Sequence, residues 1–291
     1  MAKTVLDVGG FSIIKRIGTG ARSTIYLAKD LQSKKEVALK RVILEKPEDR
    51  RIFEQVQTEY KVAQKINNPY VRKCYKLKKI RGLSLRTREM LLSMGYFDGT
   101  KLEDGPTRSL VDILLIFRMV AKGLNAMHQK QIIHCDIKPN NILIGDSGNL
   151  KIIDLGESCK IGTKKKRIQG TPDYIAPEQV NRQPLGPKTD IFNLGATMFW
   201  ALTGQNIPTL IPKKDKLGRE IQKPKKAPYE ITSQIPKDVS RLVMDCVQDD
   251  RLKRPARMLD VIHRLDSMIH RLIGDKIKVN RKVNRNAAGN S

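Results

Sequence analysis

His134-Cys135-Asp136-Ile137-Lys138-Pro139-Asn140-Asn141 is a mostly polar octet set between two apolar runs, Ile132-Ile133 before it and Ile142-Leu143-Ile144 after it. Such a loop is anchored at both ends and holds a carboxylate, Asp136, five residues from an amide, Asn141. One group can meet a hydroxyl proton while the other ligates a metal ion. Just downstream, the apolar run Leu150-Lys151-Ile152-Ile153 leads into Asp154-Leu155-Gly156. A carboxylate at a strand end, followed by glycine, suits a magnesium ligand.

Toward the N-terminus the pattern is that of strands. Phe11 to Ile17 is apolar and β-branched and breaks at Gly18-Thr19-Gly20, and Thr24 to Ala28 and Val37 to Val42 follow across a polar turn, Asp30 to Lys35. Glycines between two strands let backbone amides approach phosphate oxygens closely. The spacing predicts a helix from Pro47 to about Ile66, with Ile52, Val56, Ala63 and Ile66 on one face. Glu59 falls on that same face, and a carboxylate on an apolar stripe wants a partner.

Toward the C-terminus helices dominate. They are expected over Ser109–Gln129, Lys188–Leu202, Lys237–Val247 and Ala256–Ile273, with a loop-rich stretch from Ile132 to Gly186. The basic segments Lys76–Arg88 and Lys213–Lys226 read as solvated loops, and so does the charge run Lys164-Lys165-Lys166-Arg167. The polar, basic residues after Gly274 read as a frayed tail.

The 291 residues suit one large domain of two parts or two modest ones. The four cysteines, Cys74, Cys135, Cys159 and Cys246, contain no C-x-x-C pair, which argues against a zinc site or a disulfide framework and for a reducing cytoplasm. No apolar run is long enough to span a bilayer; Ile191–Leu202 reads as a buried core helix. Fifty-six basic residues against thirty acidic ones give a net charge of +26. That charge favours acidic partners, whether protein, nucleic acid or an anionic surface, and by itself selects none of them.

Taken in order, these clusters resemble the protein kinase superfamily. Val37-Ala38-Leu39-Lys40 is similar to its V-A-I-K pattern, His134 to Asn141 to its catalytic loop and Asp154-Leu155-Gly156 to its D-F-G motif. Gly170-Thr171-Pro172-Asp173-Tyr174-Ile175-Ala176-Pro177-Glu178 resembles its closing activation-segment motif, and Asp190-Ile191-Phe192-Asn193-Leu194-Gly195 and Arg254-Pro255 extend the likeness. The resemblance runs from Gly10 to Ile269. It is to eukaryotic-like (Hanks-type) serine/threonine kinases, in the style of their bacterial members.

The resemblance implies an α+β fold of two lobes. A small lobe with an antiparallel sheet and one helix would cover 10–94, a larger, mainly helical lobe 95–272, and a flexible basic tail 273–291. It implies ATP and magnesium as cofactors and protein serine or threonine hydroxyls as acceptors. Ile17, Gly18, Thr19 and Gly20 would cover the nucleotide, and Ile25, Ala38 and Leu143 would sandwich adenine. Met94 matches the gatekeeper, with Gly95 and Phe97 at the adenine edge. Lys40 would hold phosphates and pair with Glu59; Asp136 would take the hydroxyl proton, Lys138 would stabilise the moving phosphoryl group, and Thr171 would contact both. Asn141 and Asp154 would hold the metal, Glu178 and Arg254 would form a buried pair, and Asp190 would anchor the catalytic loop. His134 would be a packing residue.

Several positions depart from the family pattern. Ser23 replaces the loop's third glycine, Arg22 its aromatic tip and Leu155 the D-F-G phenylalanine. Cys135 replaces the arginine that grips a phosphorylated activation loop, which a thiol cannot do, so activity is expected not to depend on that phosphate. Lys101 and Asn140 stand where arginine-directed kinases carry acids, so acidic or neutral substrate surroundings are expected. The presence of Lys40, Glu59, Asp136, Asn141 and Asp154 argues against a pseudokinase scaffold, and the complete Ala176-Pro177-Glu178 against a small-molecule kinase; a nucleic-acid-binding role beside the kinase activity rests on charge alone.

Overall fold

A computed structural model describes residues 7–20, 22–44, 50–81, 87–211, 213–214, 220–221 and 224–288, with side chains to 211 and over 224–274. The chain divides into two compact units. One comprises Met1–Lys101 and Asn141–Cys159, the other Leu102–Asn140 and Lys160–Ser291.

The first unit is built on a six-stranded antiparallel sheet. Its strands are β1 (Asp7–Val8), β2 (Phe11–Gly20), β3 (Ser23–Asp30), β4 (Glu36–Ile43), β5 (Cys74–Arg81) and β6 (Thr87–Gly95), in the order β1-β2-β3-β4-β6-β5. Helix α1 (Arg50–Ala63) follows β4. Side chains alternate across a strand. Val37 and Leu39 of β4 join Val8, Phe11, Ala28 and Leu91 in a core on one face, which leaves Ala38 and Lys40 for the other. Helix α1 buries Phe53, Val56, Glu59, Val62 and Ala63, the three- and four-residue spacing of one helical face. Strand β7 (Thr100–Lys101) joins the hairpin strands Ile142–Ile144 and Leu150–Ile152 in a second, three-stranded sheet.

Two expectations for this unit are corrected. Strand β2 does not stop at Ile17 but continues to Gly20, which pairs with Ser23. Lys76–Arg88 is not a solvated loop, because β5 and the start of β6 occupy its described part. Strand β5 is an edge strand with β6 as its one neighbour, so its lysines reach solvent while Leu77 and Ile80 are half-buried. Lysines on an edge also discourage further pairing.

The second unit is mainly helical. It contains α2 (Leu110–Gln129), α3 (Pro177–Val180), α4 (Pro187–Thr203), α5 (Pro228–Ile231), α6 (Lys237–Cys246) and α7 (Met258–Ala288). Ser109 caps α2 by accepting from the Asp112 N–H. Proline opens α4 at Pro187, and Gly204 closes it at φ 68°, a left-handed cap that glycine adopts without a Cβ penalty. Helix α4 is buried through most of its length and packs against α2 and α6, while α2 also packs against α7.

Helix α7 runs well past the expected end at Ile273. Gly274 does not take a positive φ. The following residues contain no proline to break the helix. Within the basic stretch Lys213–Lys226, also expected as a loop, Lys213–Lys214 and Glu220–Ile221 pair as a two-residue ladder. The α+β division itself is as expected, a sheet with one helix in one unit and helices in the other. Among the described residues no helix is long and apolar enough to cross a membrane.

Candidate active site

In the first unit the centre is an ion-pair cluster on the face of β4 opposite the Val37–Leu39 core. The Lys40 ammonium lies 2.8 Å from Glu59 Oε2 and 3.7 Å from Asp154 Oδ1. Glu59 is almost wholly buried and has a second cation, Arg72, whose guanidinium lies 3.6 Å from Oε1. Burial opposes the charge on Lys40, but the Glu59 and Asp154 carboxylates overcome it and hold Lys40 above the ordinary lysine value. The neighbouring Cys74 thiol is pushed up to about 12 by burial and by Glu59, so it stays protonated and inert.

Asp154 and Asn141 are brought together by a hairpin. Ile142–Ile144 pairs antiparallel with Leu150–Ile152, and just beyond the ladder the Ile153 N–H donates to the Asn141 carbonyl at 2.9 Å. Arg72 is tied to the same hairpin, since its N–H donates to the Ile152 carbonyl at 3.0 Å. Asp154 has left-handed backbone, φ 62°, which is costly for a residue with a Cβ. The next turn is docked on α1. Leu155 is buried, a Cβ at Gly156 would come within 3.1 Å of the Gln55 Cβ, and Glu157 accepts from Gln55 and Arg51.

The remaining expected residues of this unit take up the following places. Gly18 and Thr19 pair with Ile25 and Thr24, and a Cβ at Gly20 would sit 2.8 Å from Ser23 Oγ. Ile17 is exposed at a register irregularity. Ala38 pairs with buried Met94 across β4 and β6, and Ile25 pairs with Lys40. The Gly95 N–H donates to the Lys73 carbonyl at 2.9 Å. A Cβ at Gly99 would meet the Phe97 ring at 2.7 Å, and half-buried Leu143 pairs with Lys101.

In the second unit Asp136, Lys138 and Thr171 form a closed triangle. The Thr171 hydroxyl donates to Asp136 Oδ1 at 2.8 Å and accepts from the Lys138 ammonium at 2.7 Å, while Lys138 lies 2.9 Å from Asp136 Oδ2. The loop carrying Asp136 hangs from Asp190. The His134 and Cys135 N–H groups donate to its two oxygens at 2.9 and 2.8 Å, and His128 Nε2 is 2.8 Å away. Burial alone would raise the Asp190 pKa, but the His128 contact and these amides hold it below the ordinary carboxylate value. Cys135 is buried at φ 70°, and its carbonyl accepts from Gln179 Nε2. Glu178 and Arg254 meet in two hydrogen bonds of 2.8 and 3.0 Å, with Thr189 donating to Glu178 and the Arg254 guanidinium stacked 4.9 Å from the Phe192 ring centre.

Arg72, Gln55, Glu157, His128, Gln179 and Thr189 were not found from the sequence. Each acts through a tertiary contact with a motif residue and lies in no repeating pattern of its own. Three of them had a positional hint: Gln179 directly follows Glu178, Glu157 directly follows Asp154-Leu155-Gly156, and Thr189 directly precedes Asp190.

Residues 11–265 match the family model described as protein kinase domain. Serine/threonine-protein kinase PAK 1 of Mus musculus is 31% identical over 215 residues, which are 70% of this chain and 37% of that protein. Serine/threonine-protein kinase STE20 of Candida glabrata is 33% identical over 201 residues, 65% of this chain and 20% of that protein. Serine/threonine-protein kinase CST20 of Candida albicans is 32% identical over 197 residues, 65% of this chain and 15% of that protein. The chain thus spans well under half the length of these relatives.

Proposed function

The chain belongs to the protein kinase domain family, and on that premise we propose that it transfers the γ-phosphoryl group of ATP to serine or threonine hydroxyls of proteins. The observation that carries this reading is the hydrogen-bonded triangle of Asp136, Lys138 and Thr171. A carboxylate held beside an ammonium and a hydroxyl can orient an incoming hydroxyl and take its proton. Lys138, placed 2.9 Å from that carboxylate, supplies positive charge where the transferring group becomes most anionic.

Nucleotide handling is assigned to the first unit. Lys40, kept charged and aimed by Glu59, holds the phosphates, and Arg72 keeps Glu59 from swinging away. The glycine hairpin offers amides to the phosphates, and Ile25, Ala38 and Leu143, with the Met94–Phe97 segment, take adenine. Asn141 and Asp154 fit magnesium, since both are hard oxygen donors. Asn141 and Asp154 would hold the ion from two ends of one hairpin, Ile142–Ile144 paired with Leu150–Ile152. Bound there, magnesium neutralises phosphate charge and orients the triphosphate.

Incubating the protein with labelled ATP, magnesium and a mixed protein substrate tests the reading. Label is expected on serine or threonine, and Asp136→Ala is expected to abolish it. Label that persists in that variant, or never appears in the native protein, overturns the assignment.

Activity is further proposed to need no phosphate on the activation loop. Cys135 is buried, its thiol is directed at the Ile133 carbonyl 3.9 Å away, and it cannot grip a phosphate. Phosphatase treatment is expected to leave the rate within about twofold, since no charge-assisted contact is lost; a large loss tracking phosphate at Thr163 or Ser158 would refute this. We further propose a reducing compartment such as the cytoplasm, since the four cysteines are scattered with no C-x-x-C pair.

A further inference from the structure

The segment Ser158 to Pro172 contains no Asp or Glu but holds Lys160, Lys164, Lys165, Lys166 and Arg167. Four consecutive cations usually relieve their repulsion by spreading in a loose loop. Here the segment is pinned along its length to one neighbouring stretch of the same unit. The Gly162 N–H donates to the Leu185 carbonyl at 2.8 Å, and the Leu185 N–H donates to the Thr163 carbonyl at 3.0 Å. Arg182 donates to the Lys166 carbonyl at 3.4 Å, and Gln179 to the Gln169 carbonyl at 3.0 Å. Lys164, Lys166, Arg167 and Arg182 are all exposed. Among the described residues, no carboxylate lies within ion-pair distance of any of them.

The pinned run leads directly to Thr171, whose hydroxyl contacts Asp136. Arg167 and Thr171 are four positions apart, so their Cα atoms lie within roughly 14 Å of each other along the chain. A peptide extended from a hydroxyl at Asp136 covers that distance in about four residues.

We propose that Lys164, Lys166, Arg167 and Arg182 form a cationic surface that selects protein substrates with Asp, Glu or phosphorylated residues close to the target hydroxyl. This inference rests on the assignment of Asp136 as the hydroxyl-orienting group. It names the substrate class of that same site. Arg182, at φ 50°, is fixed beside the run by its donation to the Lys166 carbonyl. A structure that keeps like charges together gains from an incoming anion.

The test uses the full chain and a set of serine peptides with Glu walked through about four positions on each side of the target, beside a neutral parent and a phosphoserine-bearing version. Acidic peptides are expected to exceed the parent roughly tenfold in kcat/KM, mostly through KM, with the advantage fading as salt rises. The triple variant Lys164→Gln, Lys166→Gln, Arg167→Gln changes exposed side chains alone. It is expected to keep its rate on the neutral parent and to shrink the acidic advantage to about twofold or less. An unchanged acidic advantage in the variant, or none in the native protein, overturns the inference. Peptide binding by fluorescence anisotropy gives a readout independent of turnover. If no peptide is phosphorylated but acidic peptides bind the native protein and not the variant, the cationic surface stands and the catalytic assignment falls. Equal binding of acidic and neutral peptides removes the surface as well. A response confined to the phosphoserine peptide would identify a phosphorylated source of the charge; a response to Glu peptides would identify an ordinary acidic one.

Discussion

Glu59 carries two cations, and the second decides how firmly it is held. With Lys40 on one oxygen and Arg72 on the other, the carboxylate has few rotamers open to it. Arg72→Met is expected to leave the buried oxygen short of a partner at a cost of about 1–3 kcal/mol, read as a lower urea midpoint. The same variant should raise KM for ATP more than it lowers kcat, because it loosens Lys40 without touching the triangle at Asp136. Unchanged stability and an unchanged KM would show that Arg72 is a bystander. The raised Lys40 pKa has a definite sign. A cation whose native pKa lies above its unfolded value contributes stability below that unfolded value, near 10.4, and loses it as pH rises through the native one. Cysteine chemistry gives a separate check at this scale. Cys74, Cys135 and Cys246 are buried, and burial pushes both Cys74 and Cys246 up to about 12. A thiol-alkylating reagent on the native protein is therefore expected to mark Cys159 first, as peptide mapping would report.

Among the elements, the loop holding Asp136 depends on α4 for its shape. Asp190 near the start of α4 accepts from two successive amides of that loop, so its charge is a structural requirement. Asp190→Asn should destabilise by about 3–5 kcal/mol at neutral pH, the cost of breaking a buried charged network. A carboxylate with a depressed pKa contributes stability above its unfolded value and loses it as pH falls through the native value. The gap between native protein and variant should therefore narrow below about pH 4, in thermal melts run from neutral to acid; a gap constant across that range would contradict the assigned charge. The motif residues on this loop were legible because they form one short stretch flanked by apolar runs. His128 and Gln179, which complete the network, were not, because what places them is the packing of α2 and α3 rather than any local pattern. Strand β5 was read as a loop for a similar reason. Its lysines outnumber the half-buried Leu77 and Ile80, and only pairing with β6 makes the strand evident.

For the whole molecule the large charge excess is the governing term. Like charges on one chain repel, and the repulsion is screened over a Debye length of about 10 Å at 0.1 M salt. The melting temperature is expected to rise as salt is added from near zero, and a flat profile would mean that the local ion pairs already balance the excess. The division into units has a further consequence. Residues Asn141–Cys159 belong with the N-terminal unit although Leu102–Asn140 do not, so the polypeptide passes from one unit to the other three times. No single cut frees either of them. A recombination event at position 101 would separate Lys40 and Glu59 from Asn141 and Asp154, and a shorter exchange of 102–140 would set a foreign stretch between them. The two units are therefore expected to survive recombination only when they travel together.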